Sequence, residues 1–177
     1  MQIAILTLDG FNELDSFIAA AIINRMQAKG WSAQITAPTR TVTSMNGVEV
    51  GRQQPLDFLQ GADAVLIGSG VRTRDYAADA ALLASLSIDP ARQLVGAQCS
   101  GTLLLAKLGL IGQLPACTDL TSKPWVMEAG VDVIAYPSAY LAPPADQDAA
   151  ARAHVDDILA TRTFDAVPVI WYYPRAR

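Results

Sequence analysis

Short apolar runs alternate along this chain with segments in which apolar residues recur every three or four positions. The runs predict buried strands, and the recurring segments predict helices that pack one face against them. The predicted strands cover residues 3–8, 31–37, 63–70, 92–98 and 131–136, with a shorter one at 115–118. The predicted helices follow at residues 16–30, 74–86, 101–108 and 124–129. Strands that alternate with helices predict βαβ units, and hence an α/β fold with a doubly wound, mostly parallel sheet.

Turn signals divide these segments. Asp15 or Ser16 is expected to cap the first long helix, and Gly30 is expected to end it. The stretch "TVTSMNGVEV" places Asn46-Gly47 between alternating residues, which is the strongest short hairpin signal in a sequence. A small β-hairpin excursion from the edge of the sheet is therefore expected.

Size and charge narrow the class of protein. With 177 residues, of which 51% are hydrophobic, residues 1–177 are expected to form a single domain. The net charge of -4 and the scattered Lys and Arg residues argue against a nucleic-acid partner. No apolar stretch reaches the roughly 20 residues of a membrane span and no signal-peptide pattern is seen, so no membrane partner and a cytoplasmic location are expected.

Two cysteines do not make a disulfide framework. Neither Cys99 nor Cys117 has a second Cys or His at metal-ligand spacing, so we expect no metal and no cofactor. Cys117 lies in a short apolar segment and is expected to pack in the core.

Cys99 lies where a predicted strand ends and a helix begins, which is where α/β folds collect their ligands. Its small neighbours Ala97 and Gly101 are typical of a nucleophile elbow, a sharp strand-to-helix turn that exposes the residue at its tip. The helix N-terminus is expected to lower the pKa of the thiol and to favour the thiolate. The alternative is that Cys99 is a small buried hydrophobe, as most free cysteines are.

A cysteine nucleophile needs a group that manages its proton. The single histidine, His154, lies in a polar, Ala-rich segment typical of a surface helix, so a carboxylate is the preferred partner. Asp9, Glu13 and Asp15 follow the first strand and reach the same edge of the sheet as Cys99. Such a carboxyl group is suited to general acid catalysis beside sulfur, whereas helix capping is an equally good explanation of Asp15.

Backbone N–H groups near the thiol are candidates for stabilising charge on a substrate. The stretch "GSGVR" offers the amides of Gly70 and Val71, and Ser100 follows the nucleophile directly. Together they would form an oxyanion pocket.

These motifs together resemble the ThiJ/PfpI superfamily, whose sheet is flavodoxin-like and related to that of class I glutamine amidotransferases. The resemblance extends from residue 1 to about 136 and is carried by "IAILTLDGFNELD", "DAVLIGSG", "VGAQCSGTLLLAKLGLIGQLPACTDLTSKPW" and "GVDVI". It implies that Cys99 is the elbow cysteine, Asp15 the family's acid, and Gly70 and Ser100 its oxyanion positions. The "ELD" context looks most like the isonitrile hydratase branch, and a homodimer is expected.

Two departures limit what the resemblance implies. Many relatives have a histidine shortly after the elbow helix, where this chain has Asp119 in "ACTDL", which argues against a Cys-His mechanism. Residues 141–177 do not match the usual ending of the family.

The leading hypothesis is an enzyme in which Cys99 adds to an electrophilic carbon of a small molecule while Asp15 moves the proton, as in isonitrile hydration. Hydrolysis of an amide or of a reactive-carbonyl adduct, as in deglycase-type enzymes, is the runner-up. A different class is a redox or stress-response protein whose Cys99 is oxidised to sulfinic acid. A small-molecule-sensing domain is less favoured.

Overall fold

The computed structural model of the chain describes residues 1–133. Its strands are β1 (Gln2–Leu6), β2 (Ser32–Thr36), β3 (Thr41–Thr43), β4 (Glu49–Gly51), β5 (Ala64–Ile67) and β6 (Leu94–Ala97). Its helices are α1 (Glu13–Asn24), α2 (Phe58–Gly61), α3 (Thr73–Ala78), α4 (Ala80–Ser85), α5 (Thr102–Lys107) and α6 (Lys123–Glu128).

Four of these strands form one parallel sheet in the order β2-β1-β5-β6. The central strand β1 pairs Leu6 with Thr36 on one side and with Ile67 on the other, and Ile67 in turn pairs with Ala97. The carboxyl ends of the four strands therefore meet along one edge of the sheet. The expected α/β fold with a parallel sheet is confirmed.

Successive side chains of β1 point to opposite faces of the sheet, and both faces are buried. Ile3 and Ile5 pack with Ala19 of α1 on one face. On the other face, Leu6 belongs to a larger cluster that includes Leu104 of α5. Helices cover the two faces, which is the doubly wound arrangement.

The hairpin expected around Asn46-Gly47 is present. Strands β3 and β4 pair antiparallel, with Val42 opposite Val50, and Gly47 has φ +84° at the turn between them. Phe11 and Val42 are buried together beneath the hairpin.

Several boundaries differ from the expectation. The N-cap of α1 is Asn12, whose side chain accepts a hydrogen bond from the Leu14 N–H, so neither Asp15 nor Ser16 caps the helix. The helix predicted at residues 74–86 is divided at Asp79, whose carboxylate caps α4 by accepting from two backbone N–H groups.

The last described residues depart further. The strand expected at 115–118 is reduced to a single bridge between Ala116 and Val133, and Cys117 beside it is half-buried. Outside the described residues lie the rest of the predicted strand at 131–136, the segment 141–177 and His154. Within residues 1–133, every helix is too short to cross a membrane.

Candidate active site at the carboxyl edge of the sheet

Cys99 occupies a sharp turn directly after β6. Its φ of 48° lies in the left-handed region, and it is the one non-glycine residue between residues 1 and 133 with a positive φ. A single 3-10 turn, Cys99–Gly101, then leads into α5. A non-glycine residue in this region stores backbone strain, and such strain is concentrated at functional sites. The geometry is that of a nucleophile elbow.

The elbow is packed against the end of β5 so closely that only glycine fits at position 101. A Cβ at Gly101 would lie 2.6 Å from the Gly68 carbonyl oxygen and 2.7 Å from that of Ile67. Both contacts are shorter than any real Cβ makes with backbone. The small residue expected after the cysteine is thus required by contact with the neighbouring strand.

The Cys99 thiol donates a hydrogen bond to the Asp119 carboxylate, with 3.4 Å between Sγ and Oδ2. Burial raises the pKa of this thiol to about 12, and the negative charge of Asp119 and its hydrogen bond add to the rise. The Ser100 N–H acts in the opposite direction but is outweighed. The expected lowering of the thiol pKa by the helix N-terminus is therefore wrong, because burial and a neighbouring anion dominate.

Asp119 is held by the start of the next helical segment. Its Oδ1 accepts the N–H groups of Thr121 and Ser122, each at 2.9 Å. Burial acts to raise the pKa of Asp119, but the hydrogen bonds from Ser122, Cys99 and Thr121 outweigh it and hold the pKa below its usual range. Asp119 is therefore an anion in contact with the thiol.

Thr118 supports the elbow from the same segment. Its hydroxyl donates to the Cys99 carbonyl oxygen at 2.9 Å and lies 3.4 Å from Asp119 Oδ2. The loop that carries Asp119 is in this way tied to the backbone of the nucleophile.

Asp15 lies in the first turn of α1 and is only 7% exposed. Its Oδ2 accepts hydrogen bonds from the Ser69 hydroxyl and, at 3.4 Å, from Asn12 Nδ2. Burial raises the pKa of Asp15 in spite of these donors, and the charge of Asp119 adds to the rise. Asp15 also acts on the Cys99 thiol electrostatically, although its hydrogen bonds go to other residues.

The expected oxyanion donors have other partners. The Gly70 N–H donates to Ser100 Oγ at 3.2 Å, and the Val71 N–H donates to the Gly10 carbonyl at 2.9 Å. Val71 is therefore not available as a donor in this arrangement. The same Ser100 hydroxyl also lies 2.9 Å from Thr73 Oγ1.

The Glu13 carboxylate is bonded to the hairpin and not to the residues around Cys99. It accepts hydrogen bonds from Ser44 Oγ at 2.5 Å and Asn46 Nδ2 at 2.9 Å, so it joins α1 to the hairpin turn. Asp9 accepts the Thr43 N–H at 2.8 Å and holds the same hairpin. Of the three acids after β1, only Asp15 bonds to the Ser69 turn.

Sequence reasoning missed three hydroxyl groups of this site. Ser69 stands inside the quoted "GSG" stretch, but its bond to Asp15 joins residues 54 positions apart. No sequence pattern marks Thr73 or Thr118 as a residue of the site. Asp119 is singled out by the sequence only because it stands where relatives have histidine, and no sequence pattern indicates that it meets the thiol.

A small cavity lies beside the turn at residues 68–70, and Cys99 is not among its lining residues. It is lined by Leu8, Asp9, Gly68, Ser69, Gly70, Thr73, Tyr76 and Leu104. Within the described part of the chain, no group of three or more His, Cys, Asp or Glu side chains is arranged to hold a metal ion.

Solved structures of DJ-1, ThiJ and PfpI proteins match the fold of this chain. A ThiJ/PfpI family protein from Pseudomonas syringae is 21% identical with a TM-score of 0.61, over 75% of this chain and 56% of that one. DJ-1 from Schizosaccharomyces pombe is 17% identical with a TM-score of 0.61, over 77% of each chain. A DJ-1 superfamily protein from Agrobacterium tumefaciens is 24% identical with a TM-score of 0.57, over 69% of this chain and 66% of that one.

These likenesses establish the flavodoxin-like fold of that superfamily. The chain spans little more than half the length of the Pseudomonas syringae protein. Its sequence matches no protein-family model and no curated protein. The isonitrile hydratase branch therefore stays a prediction.

Proposed function

We propose that this chain is a ThiJ/PfpI superfamily enzyme in which Cys99 adds to an electrophilic carbon of a small, uncharged molecule, as in isonitrile hydration. The observation that carries the proposal is the strained elbow at Cys99, whose thiol lies in contact with one carboxylate and within the electrostatic reach of a second. Packing alone does not explain why a cysteine would be held in a strained conformation among acids.

The reaction needs a nucleophile and an acid but no leaving-group histidine. In the first step the S–H bond breaks, a bond forms between sulfur and the isonitrile carbon, and a proton reaches that carbon, which yields a thioimidate. Water then adds to the same carbon. Collapse expels the Cys99 sulfur, which regains a proton, and leaves an N-substituted formamide.

Asp15 is the proposed general acid. Burial raises its pKa, which increases the fraction that carries a proton near neutral pH. The Ser69 hydroxyl and Asn12 amide hold the carboxyl group in one orientation. Gly70 and Ser100 are proposed to steady the adduct through their amides once substrate displaces the Ser100 hydroxyl.

The redox alternative has less support. Oxidation by peroxide requires a thiolate, whereas burial and Asp119 raise the pKa of this thiol to about 12. Hydrolysis of an amide or reactive-carbonyl adduct uses the same groups and stays the alternative. The homodimer, the small-molecule substrate and the cytoplasmic location stay predictions.

Turnover of a simple alkyl isonitrile to the formamide, followed by proton NMR, tests the proposal. We expect activity in the wild type, none in Cys99→Ala, and a loss of about 10²- to 10⁴-fold in Asp15→Asn. Cys117→Ala is the matched control, because it removes the other thiol and leaves the elbow intact. Equal turnover by wild type and Cys99→Ala would overturn the proposal, and turnover of amides or carbonyl adducts without isonitrile turnover would favour the alternative.

A further inference from the structure

We propose that Asp119 is the base of this site, which accepts the Cys99 proton as sulfur attacks and which excludes anionic substrates. The inference deepens the proposed function and rests on it for the reaction. Its first test measures the thiol itself and needs no turnover.

The two oxygens of Asp119 have separate partners. Oδ1 accepts the backbone N–H groups of Thr121 and Ser122, which fixes the plane of the carboxylate. Oδ2 is left to face the thiol, 3.4 Å from Sγ, with the Thr118 hydroxyl also at 3.4 Å. A base must lie within hydrogen-bond reach of the proton it takes, and Asp119 is the carboxylate that meets this condition.

The groups that act on the thiol in the described residues can be named. They are the carboxylates of Asp119 and Asp15 and the N–H of Ser100. No cation is among them, and the Ser100 N–H only partly offsets the effect of the two acids on the thiol. An anionic electrophile that approaches Sγ meets the Asp119 charge at close range, whereas a neutral one does not.

The environments of the two acids divide the roles of acid and base. Asp15 is buried and favours its protonated form, whereas the hydrogen bonds from Ser122, Cys99 and Thr121 favour the ionised form of Asp119. Two titratable groups whose surroundings push their pKa values apart are the usual sign of an acid and base pair.

This division balances the proposed reaction. As the S–C bond forms, the thiol proton passes to Asp119 Oδ2 and Asp15 gives its proton to the isonitrile carbon. The attacking water returns a proton to Asp15, and the proton left on the oxygen passes to nitrogen. Asp119 then returns its proton to the departing sulfur.

Alkylation of Cys99 by iodoacetamide and by iodoacetate tests the assignment, because the two reagents differ in charge at similar size. The rates are measured by intact mass between about pH 6 and 10 in a Cys117→Ala background, with Asp119→Asn and the control Asp57→Asn. The amide introduced by Asp119→Asn keeps an oxygen that can accept the Thr121 and Ser122 N–H groups. Asp57 is exposed and precedes α2, which leads into the amino end of β5, the opposite edge of the sheet.

In Asp119→Asn, we expect the iodoacetamide rate at pH 8 to rise at least about tenfold, as one unit of lowered pKa implies. The ratio of the iodoacetate rate to the iodoacetamide rate should also rise, by a similar factor, while Asp57→Asn matches the parent. Circular dichroism checks folding, and Asp119→Ser, which keeps a shorter acceptor, is the second variant. Unchanged rates and an unchanged ratio in both folded Asp119 variants would overturn the inference.

Isonitrile turnover separates a base from a group that merely holds the thiol protonated. If Asp119 is the base, kcat falls in Asp119→Asn even though alkylation becomes faster. A kcat that rises together with the alkylation rate would overturn the catalytic role. Absence of isonitrile turnover in the wild type would count against the proposed function, while the alkylation results would still decide whether Asp119 controls the thiol.

Discussion

Asp15 and Asp119 approach Cys99 from two different elements, and their surroundings act on them in opposite ways. Asp15 lies in the first turn of α1 and is almost fully buried, with the side-chain donors Ser69 and Asn12. Asp119 is less buried and accepts two backbone N–H groups as well as the thiol. The pKa of Asp15 is raised by burial, and the pKa of Asp119 is lowered by its hydrogen bonds in spite of burial.

The difference shows that the number and kind of donors decide whether the pKa of a buried carboxyl group lies above or below its ordinary value. A buried carboxylate with few donors loses hydration without full replacement, whereas one that caps a turn exchanges water for aligned N–H groups. The same residue type therefore has a raised pKa in one place and a lowered pKa in the other, as the proposed acid and base require. Cys99 is the group on which both act.

The largest expected effect comes from moving the elbow away from both acids. Gly101→Ala places a Cβ 2.6 Å from the Gly68 carbonyl oxygen, so the turn or the end of β5 must shift. We expect a loss of about 1–3 kcal/mol in the free energy of unfolding, measured by urea denaturation. Cys99 alkylation should change with it, because Sγ leaves its place beside Asp119.

Gly61→Ala is the control for this substitution. Gly61 lies in helix α2, and an added Cβ there meets nothing within 4 Å. Alanine at such a helix position is expected to stabilise by about 0.5–1 kcal/mol. A Gly101→Ala protein as stable as wild type, with unchanged alkylation, would contradict the close packing of the elbow.

A smaller effect distinguishes the two acids by the sign of their contribution to stability. The folded-state pKa of Asp15 lies above its ordinary value of 3.8, so its ionisation opposes folding once the pH exceeds that value. Asp119 has a folded-state pKa below 3.8, so its ionisation supports folding above that value, and the support is lost as the pH falls through the lowered pKa. At pH 7, Asp15→Asn should stabilise and Asp119→Asn should destabilise, each by about 1 kcal/mol.

Thermal unfolding at pH 7 and at about pH 3 measures both differences. Each should shrink at the lower pH, where the wild-type carboxyl groups approach the protonated form that asparagine imitates. Shifts of the same sign for the two variants at pH 7 would show that the two environments do not differ as described.

The elbow and the sheet could be predicted because their signals are local. Apolar runs and helical spacing predicted the parallel sheet, and the small residues around Cys99 predicted the sharp turn that φ 48° confirms. The need for glycine at position 101 also follows from such a turn. Its physical cause, contact with the carbonyls of Ile67 and Gly68, joins segments more than 30 positions apart and needs the structure.

The protonation state of the thiol could not be predicted in the same way. A helix N-terminus beside Cys99 pointed to a lowered pKa, but α5 begins only at Thr102, and the thiol is half-buried in contact with Asp119. Burial and the approach of a residue 20 positions away depend on packing, which spacing does not encode. The same limit applies to Glu13, which sequence proximity placed beside Asp15 but which bonds to the hairpin.

The smallest expected effect concerns that third acid. Ser44 Oγ and Asn46 Nδ2 hold the Glu13 carboxylate and lower its pKa, so Glu13 supports the hairpin most when it is ionised. Glu13→Gln should lower the thermal unfolding midpoint only slightly at pH 7, and the difference should vanish as the pH falls below the lowered pKa. Cys99 alkylation and isonitrile turnover should match wild type, since this carboxylate bonds to the hairpin rather than to the thiol. A loss of turnover in Glu13→Gln comparable to that in Asp15→Asn would return Glu13 to the catalytic group.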